Sequence, residues 1–225
     1  MDLDSLVEEQ EIIDPKEAAR EAWLERRRGK ITGSHFGDLI GSGRGKDEVF
    51  TQTGLTYLRR VAAERFGSYY VTSAKSMEWG TENEADAIAE YSKIQGVDVD
   101  SSPFQFFEYT SAVGCTPDGI VDQDGCIEVK CPYDPAVHVN TLLTRKVPKD
   151  YEWQVIGHLL CTGRQWCDFI SFDPRMQMPQ RLVVIRVYRD TSLLAFLHDR
   201  ISMAVDTVNQ FCLKMLEQQM KGGAA

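Results

Sequence analysis

Three residues near the middle of the chain have types and spacing suited to chemistry: Asp118 in Thr116-Pro117-Asp118-Gly119, and Glu128 and Lys130 in Glu128-Val129-Lys130. The Pro-Asp-Gly turn starts one short β run, and Gln123-Asp124-Gly125 reads as a hairpin turn into the next. Strand side chains alternate, so Glu128 and Lys130 share a face and the hairpin can bring Asp118 back opposite Glu128. Two carboxylates with an ammonium beside them suit a divalent cation at a phosphodiester. Mg²⁺ favours hard oxygens and keeps waters, one of which can become the nucleophile. The lysine can orient or deprotonate that water, or neutralise charge developing on the phosphate. The plain alternative makes Asp118 an ordinary turn residue and leaves Glu128 and Lys130 on the solvent face of a strand.

Several neighbours weigh against that alternative. Ile127, Val129 and Cys131 supply an apolar opposite face, and Pro132 ends the strand directly after them. Glu84, Ile88 and Tyr91 follow a four-then-three spacing that places an acid on the inward stripe of a helix over 76–94, closed by Gly96. Gln154 lies mid-helix among Trp153, Val155 and Ile156.

The flanking elements follow from period and punctuation. Asp14-Pro15-Lys16-Glu17 reads as N-cap, N1 proline and first-turn acid of a helix to Arg28, stopped by Gly29. Thr32-Gly33-Ser34 opens a second short helix whose free N–H groups form an anion site. Arg26, Arg27 and Arg28 suit a helix C-terminus as plain charges, but the nearby helix start favours a phosphate clamp at Arg27. Gly41 to Gly45 reads as a flexible loop carrying Arg44. A helix over 51–66 follows. Strands are expected at 104–109, 112–116, 119–121 and 126–131, helices at 135–144 and 149–161, strands at 167–172 and 182–188, and a long helix over 192–219.

This order, an acid on a helix, Pro-Asp-Gly, Glu-x-Lys on a strand and Gln on the next helix, resembles the PD-(D/E)XK nuclease superfamily. It is more closely similar to the lambda-exonuclease-like, YqaJ-type viral recombinase nucleases. The residues carrying that resemblance are Ala22-Trp23 with Arg27, Gly29, Ile31-Thr32 and Ser34; Trp79-Gly80 with Glu84; Thr116 to Gly119; Glu128 to Pro132; Tyr151 with Gln154-Val155; and Phe172 to Met176. The resemblance implies an α/β fold with a central mixed β-sheet flanked by helices, a restriction-endonuclease-like core. It implies two Mg²⁺ ions, for which Mn²⁺ can substitute, held by Glu84, Asp118, Glu128 and the carbonyl of Val129, with Lys130 catalytic. It further implies 5′-to-3′ digestion of one strand of linear duplex DNA to 5′-mononucleotides, leaving a 3′ overhang for single-strand annealing. Arg27, Ser34, Thr116 and Gln154 would hold the 5′ phosphate or scissile region, and Arg44 would touch DNA. Thr116 stands where the family pattern has serine and keeps the hydroxyl. A toroidal homotrimer and a single-strand annealing protein are the implied partners.

Composition sets the bounds. The 225 residues, 43% apolar and 26% charged, are expected to form a single domain with an acidic flexible tail over 1–13. The absence of a long apolar run or signal peptide points to an intracellular protein with no membrane partner, and the resemblance implies the cytoplasm of a prokaryotic or phage-infected cell. The net charge of −9 argues mildly against nucleic acid, yet the basic runs 25–30 and 43–46 are local. Six cysteines read as reduced thiols, since Cys126-x4-Cys131 and Cys161-x5-Cys167 do not make a compact four-thiolate cluster set. The four histidines, His158 among them, receive no role. The rival readings are a site-specific or structure-specific endonuclease of the same superfamily and a non-catalytic DNA-end binding module.

Overall fold

The computed structural model describes residues 14–45, 48–68 and 75–222; the expected acidic tail over 1–13 lies outside them. Helix α1 (Pro15–Arg27) starts as expected: the Asp14 carboxylate accepts from Lys16 N–H and proline occupies the first turn. Gly29 then turns the chain at φ +68°, a left-handed conformation that a side chain disfavours. Strand β1 (Ile31–Thr32) leads into a 3-10 helix (Gly33–Leu39) and, after a loop, α2 (Gln52–Glu64), whose N-cap Thr51 accepts from Gly54 N–H. Next come α3 (Lys75–Gln95), β2 (Val99–Asp100), β3 (Phe107–Thr110), β4 (Val113–Cys115), β5 (Gly119–Val121) and β6 (Gly125–Lys130). The chain continues through α4 (Pro135–Thr144), α5 (Lys149–Thr162), β7 (Trp166–Phe172), β8 (Leu182–Tyr188) and α6 (Thr191–Gly222).

The expected central mixed sheet flanked by helices is present as five strands in the order β2-β5-β6-β7-β8; a smaller sheet, β1-β4-β3, lies beside it. Only β6 and β7 run parallel in the larger sheet, and α4 and α5 form their crossover, as a parallel pair requires. Alternation divides the larger sheet into two faces. Cys126, Cys167 and Phe169 pack with α2, α5, α6 and the 3-10 helix in one core, whereas Ile127, Val129, Ile170 and Phe172 pack with Ala87 and Tyr91 of α3 in the other. The inward stripe read for α3 is therefore real. Tyr91 is buried and donates its hydroxyl proton to the buried Asp168 on β7 at 2.7 Å.

Two expectations shift. The strand expected from residue 104 begins at Phe107, because Phe104 takes φ +70° and cannot continue a strand. In the β5–β6 hairpin the positive φ falls on Asp122, while Gly125 is the first residue of β6, where a Cβ would lie 2.1 Å from the Trp166 ring.

Candidate active site

The hairpin register pairs Gly119 with Ile127, which sets Asp118 across from Glu128 on the α5 face of the sheet. Asp118 N–H donates to Ile127 O, and its own Oδ2 accepts from Val129 N–H at 2.6 Å. Thus the backbone of β6 fixes the first acid. Glu128 is fully buried, which removes the reading of this strand face as solvated. Lys130 Nζ stands 2.5 Å from Glu128 Oε1, and His158 Nε2, from α5, stands 2.5 Å from Oε2. Lys130 also lies over the Tyr151 ring, 5.1 Å from its centroid. Glu84 is half-buried on α3.

Charge explains the protonation preferences. Burial and the neighbouring Glu128 push the Asp118 carboxyl well above the usual carboxylate range, partly offset by Lys130. Burial, with Glu128 again adding, also raises Glu84. For Glu128 itself burial opposes ionisation, but the Lys130 and His158 cations outweigh it and hold the carboxyl below its ordinary value. The same contacts raise Lys130 and His158 against burial, which favours their neutral forms. Three carboxylates therefore share too little positive charge.

In donor chemistry, though not in present spacing, that set suits a divalent cation. All three acids offer hard oxygens, and Glu128 Oε1, shielded from water, receives no well-directed hydrogen bond despite the ammonium beside it. Among the described residues no three Asp, Glu, His or Cys side chains converge tightly enough to enclose an ion as they stand; positive charge at Oε1 comes from Lys130.

Of the residues expected at a phosphate, Arg27 and Thr116 are joined through Trp23. Arg27 lies over the Trp23 ring at 4.0 Å, and Trp23 Nε1 donates to Thr116 Oγ1 at 2.9 Å. Burial lowers the Arg27 pKa, with Tyr57 and Glu64 opposing. The Arg27 guanidinium makes no hydrogen bond or salt bridge among the described residues, in contrast to Arg26, which donates to Phe106 O, and Arg28, which pairs with Glu25. Ser34 is exposed in the first turn of the 3-10 helix and Gln154 half-buried on α5. Arg44 is exposed in its loop, and nothing in the structure joins it to the carboxylates. A Cβ at Gly33 would meet Cys115 Cβ at 2.9 Å, so glycine lets the start of the 3-10 helix lie close against β4.

Sequence reasoning missed His158. Its signal was the four-residue step from Gln154, which places both on neighbouring turns of α5, yet nothing local told that Glu128 would need a donor there.

The chain matches the YqaJ-like viral recombinase domain over residues 22–165. It is similar to the solved alkaline exonuclease LHK-Exo from Laribacter hongkongensis, at 28% identity and a TM-score of 0.80 over 89% of this chain and 98% of that one. LHK-Exo in complex with dAMP gives a TM-score of 0.81 at the same identity and coverage. A phage related exonuclease from Haemophilus somnus 129PT, at 18% identity and a TM-score of 0.71 over 83% of this chain and 96% of that one, shares the fold. No curated protein sequence matches. With the motifs carried in order through that span, this chain belongs to the YqaJ-like viral recombinase family.

Proposed function

We propose that this chain is a metal-dependent DNA exonuclease that digests one strand of linear duplex from its 5′ end, releases 5′-mononucleotides and leaves a 3′ overhang for single-strand annealing. The observation that carries the reading is the buried Glu128 set opposite Asp118 and beside Lys130, on a fold shared with an alkaline exonuclease. The mononucleotide complex of that relative accords with nucleotide-sized products.

Glu84, Asp118, Glu128 and the Val129 carbonyl would hold two Mg²⁺ ions, with Mn²⁺ able to substitute; bound there, the metal supplies Lewis acidity and an activated water. Val129 N–H holds the Asp118 carboxylate in place through Oδ2. Lys130, whose pKa its acidic neighbours raise, retains its proton near neutral pH, so it acts by donating to the attacking water or the phosphate. Arg27, half-buried and without an internal acceptor, suits a terminal phosphate dianion, joined by the hydroxyls of Ser34 and Thr116 and the amide of Gln154. Arg44 would meet duplex backbone from its exposed loop. A toroidal homotrimer around DNA and a single-strand annealing protein are the partners of this reading.

The test is Mg²⁺-dependent digestion of linear duplex labelled separately at each 5′ and 3′ end, beside supercoiled closed-circular DNA. Early release of the 5′ label, with the circle intact, is expected. Nicking of the circle would make the chain an endonuclease, and binding without release an end-binding module.

A further inference from the structure

The contact between Glu128 and His158 is the least accessible part of the site: both side chains are 1% exposed, with 2.5 Å between Oε2 and Nε2. A carboxylate accepts hydrogen bonds, so Nε2 must carry the hydrogen. The other ring nitrogen, Nδ1, is buried and has no hydrogen-bond partner among the described residues. Leaving a buried polar atom unpaired is destabilising, a penalty that a leucine filling the same space would not incur. Packing alone does not account for an imidazole here; the bond made by Nε2 does.

Its place between elements shows what that bond controls. Strand β6 presents Glu128, α5 presents His158, and the 3-10 helix lies beside the imidazole, where a Cβ at Gly33 would be in ordinary contact with Cε1 at 3.8 Å. The terminal torsion of a glutamate is soft, so a Glu128 released at Oε2 and held only by Lys130 at Oε1 could turn both oxygens toward a cation. Mg²⁺ demands near-octahedral geometry at about 2.0–2.1 Å and keeps waters, which favours one oxygen per carboxylate. We infer that His158 is a positioning residue that ties down Glu128 through Oε2, leaving Oε1 alone to face the catalytic cation. The inference rests on the metal-dependent reading of the site given above.

The full chain tests this with His158→Leu, which keeps bulk without a donor, and His158→Gln, which restores a side-chain N–H at similar reach. Two quantities are read: the dissociation constant of Mn²⁺ alone, by calorimetry without DNA, and kcat, KM for DNA and half-saturating Mg²⁺ on linear duplex. His158→Leu is expected to raise the Mn²⁺ dissociation constant and the half-saturating Mg²⁺ together by about 10–100-fold, with KM for DNA nearly unchanged and kcat largely recovered at saturating metal. His158→Gln is expected to return both metal constants most of the way to wild type. Should the leucine variant not fold, His158→Asn, whose amide falls short of Oε2, carries the same expectation. Wild-type metal constants in a folded leucine or asparagine variant, or a glutamine variant as impaired as leucine, would overturn the positioning role. If wild type neither binds Mn²⁺ nor needs Mg²⁺, the metal reading falls as well, which separates the two failures.

Discussion

Asp118 carries a charge that the folded chain disfavours, since burial and Glu128 both raise its pKa. The folded state therefore holds this proton more tightly than the unfolded chain, so stability is lost as pH rises from the ordinary carboxylate range through the shifted value. Without metal, Asp118→Asn should melt a few degrees above wild type at neutral pH, and the gap should close below about pH 4; thermal melts in chelator at both pH values check it. The same variant should lose cleavage, because a ligand charge is gone. Lys130→Ala should cost several orders of magnitude in rate, and Lys130→Arg should not rescue it, since a planar guanidinium cannot replace a compact ammonium against Glu128 Oε1; single-turnover digestion measures both, and near-normal turnover by the arginine variant would reduce Lys130 to a local charge. Arg27 differs from its neighbours in having no internal acceptor. Losing a charge-assisted bond of about 1.5–3 kcal/mol, Arg27→Ala should cut the preference for 5′-phosphorylated over 5′-hydroxyl ends by about tenfold or more. Arg28→Ala is the control for charge, and equal losses in the two variants would leave only diffuse electrostatics.

Among the elements, α5 connects the carboxylate group with the 3-10 helix, because its His158 contacts Glu128 and its Gly157 faces Phe36. That packing depends on Gly157, where a Cβ would sit 2.2 Å from the Phe36 ring. Gly157→Ala should therefore push the 3-10 helix away, costing about 1–3 kcal/mol as overpacking does and lowering Tm by about 2–4 °C for each kcal/mol in a chain of this size. Its signature is a loss of phosphate preference together with stability, visible in melts and end-comparison assays on the same preparation. A variant that keeps full stability and end preference would show that α5 and the 3-10 helix are not held by this contact. On the far side of the strand end, Arg175 donates to Asp173 and to the carbonyls of Pro132 and Tyr133, which fixes the chain where it leaves β6 after Lys130.

For the whole molecule, a net charge of −9 sets an unfavourable overall field for duplex, and the proposed function assigns its capture to local basic groups such as Arg44 and Arg27. Raising salt from about 50 to 200 mM should then raise KM for duplex steeply while leaving kcat nearly constant, because phosphate contacts are salt-sensitive and the buried carboxylate site is not. Steady-state digestion across a salt series measures this, and a salt-independent KM would argue against backbone contacts. Sedimentation equilibrium should give a trimer if a closed ring keeps an acidic chain on its substrate. No described helix is long and apolar enough to cross a membrane.

Local rules were sufficient for much of this. The bounds of α4, β5 and β8 follow directly from period and punctuation, and Asp118 falls opposite Glu128 because a short hairpin fixes its own register. The order of motifs was enough to indicate the family. The two-residue strands β1 and β2 were not legible, since two residues show no period and exist only through their partners β4 and β5. The burial of Glu128 was equally hidden: one sequence pattern serves a solvated strand face or an enclosed one, and the packing of α5 over that face decides between them. The tether from His158 and the Arg27-Trp23-Thr116 group span 30 and more than 80 residues of chain. Such partners are chosen by tertiary approach, because a buried charge needs a donor from whatever element happens to cover it, and sequence spacing carries no record of that choice.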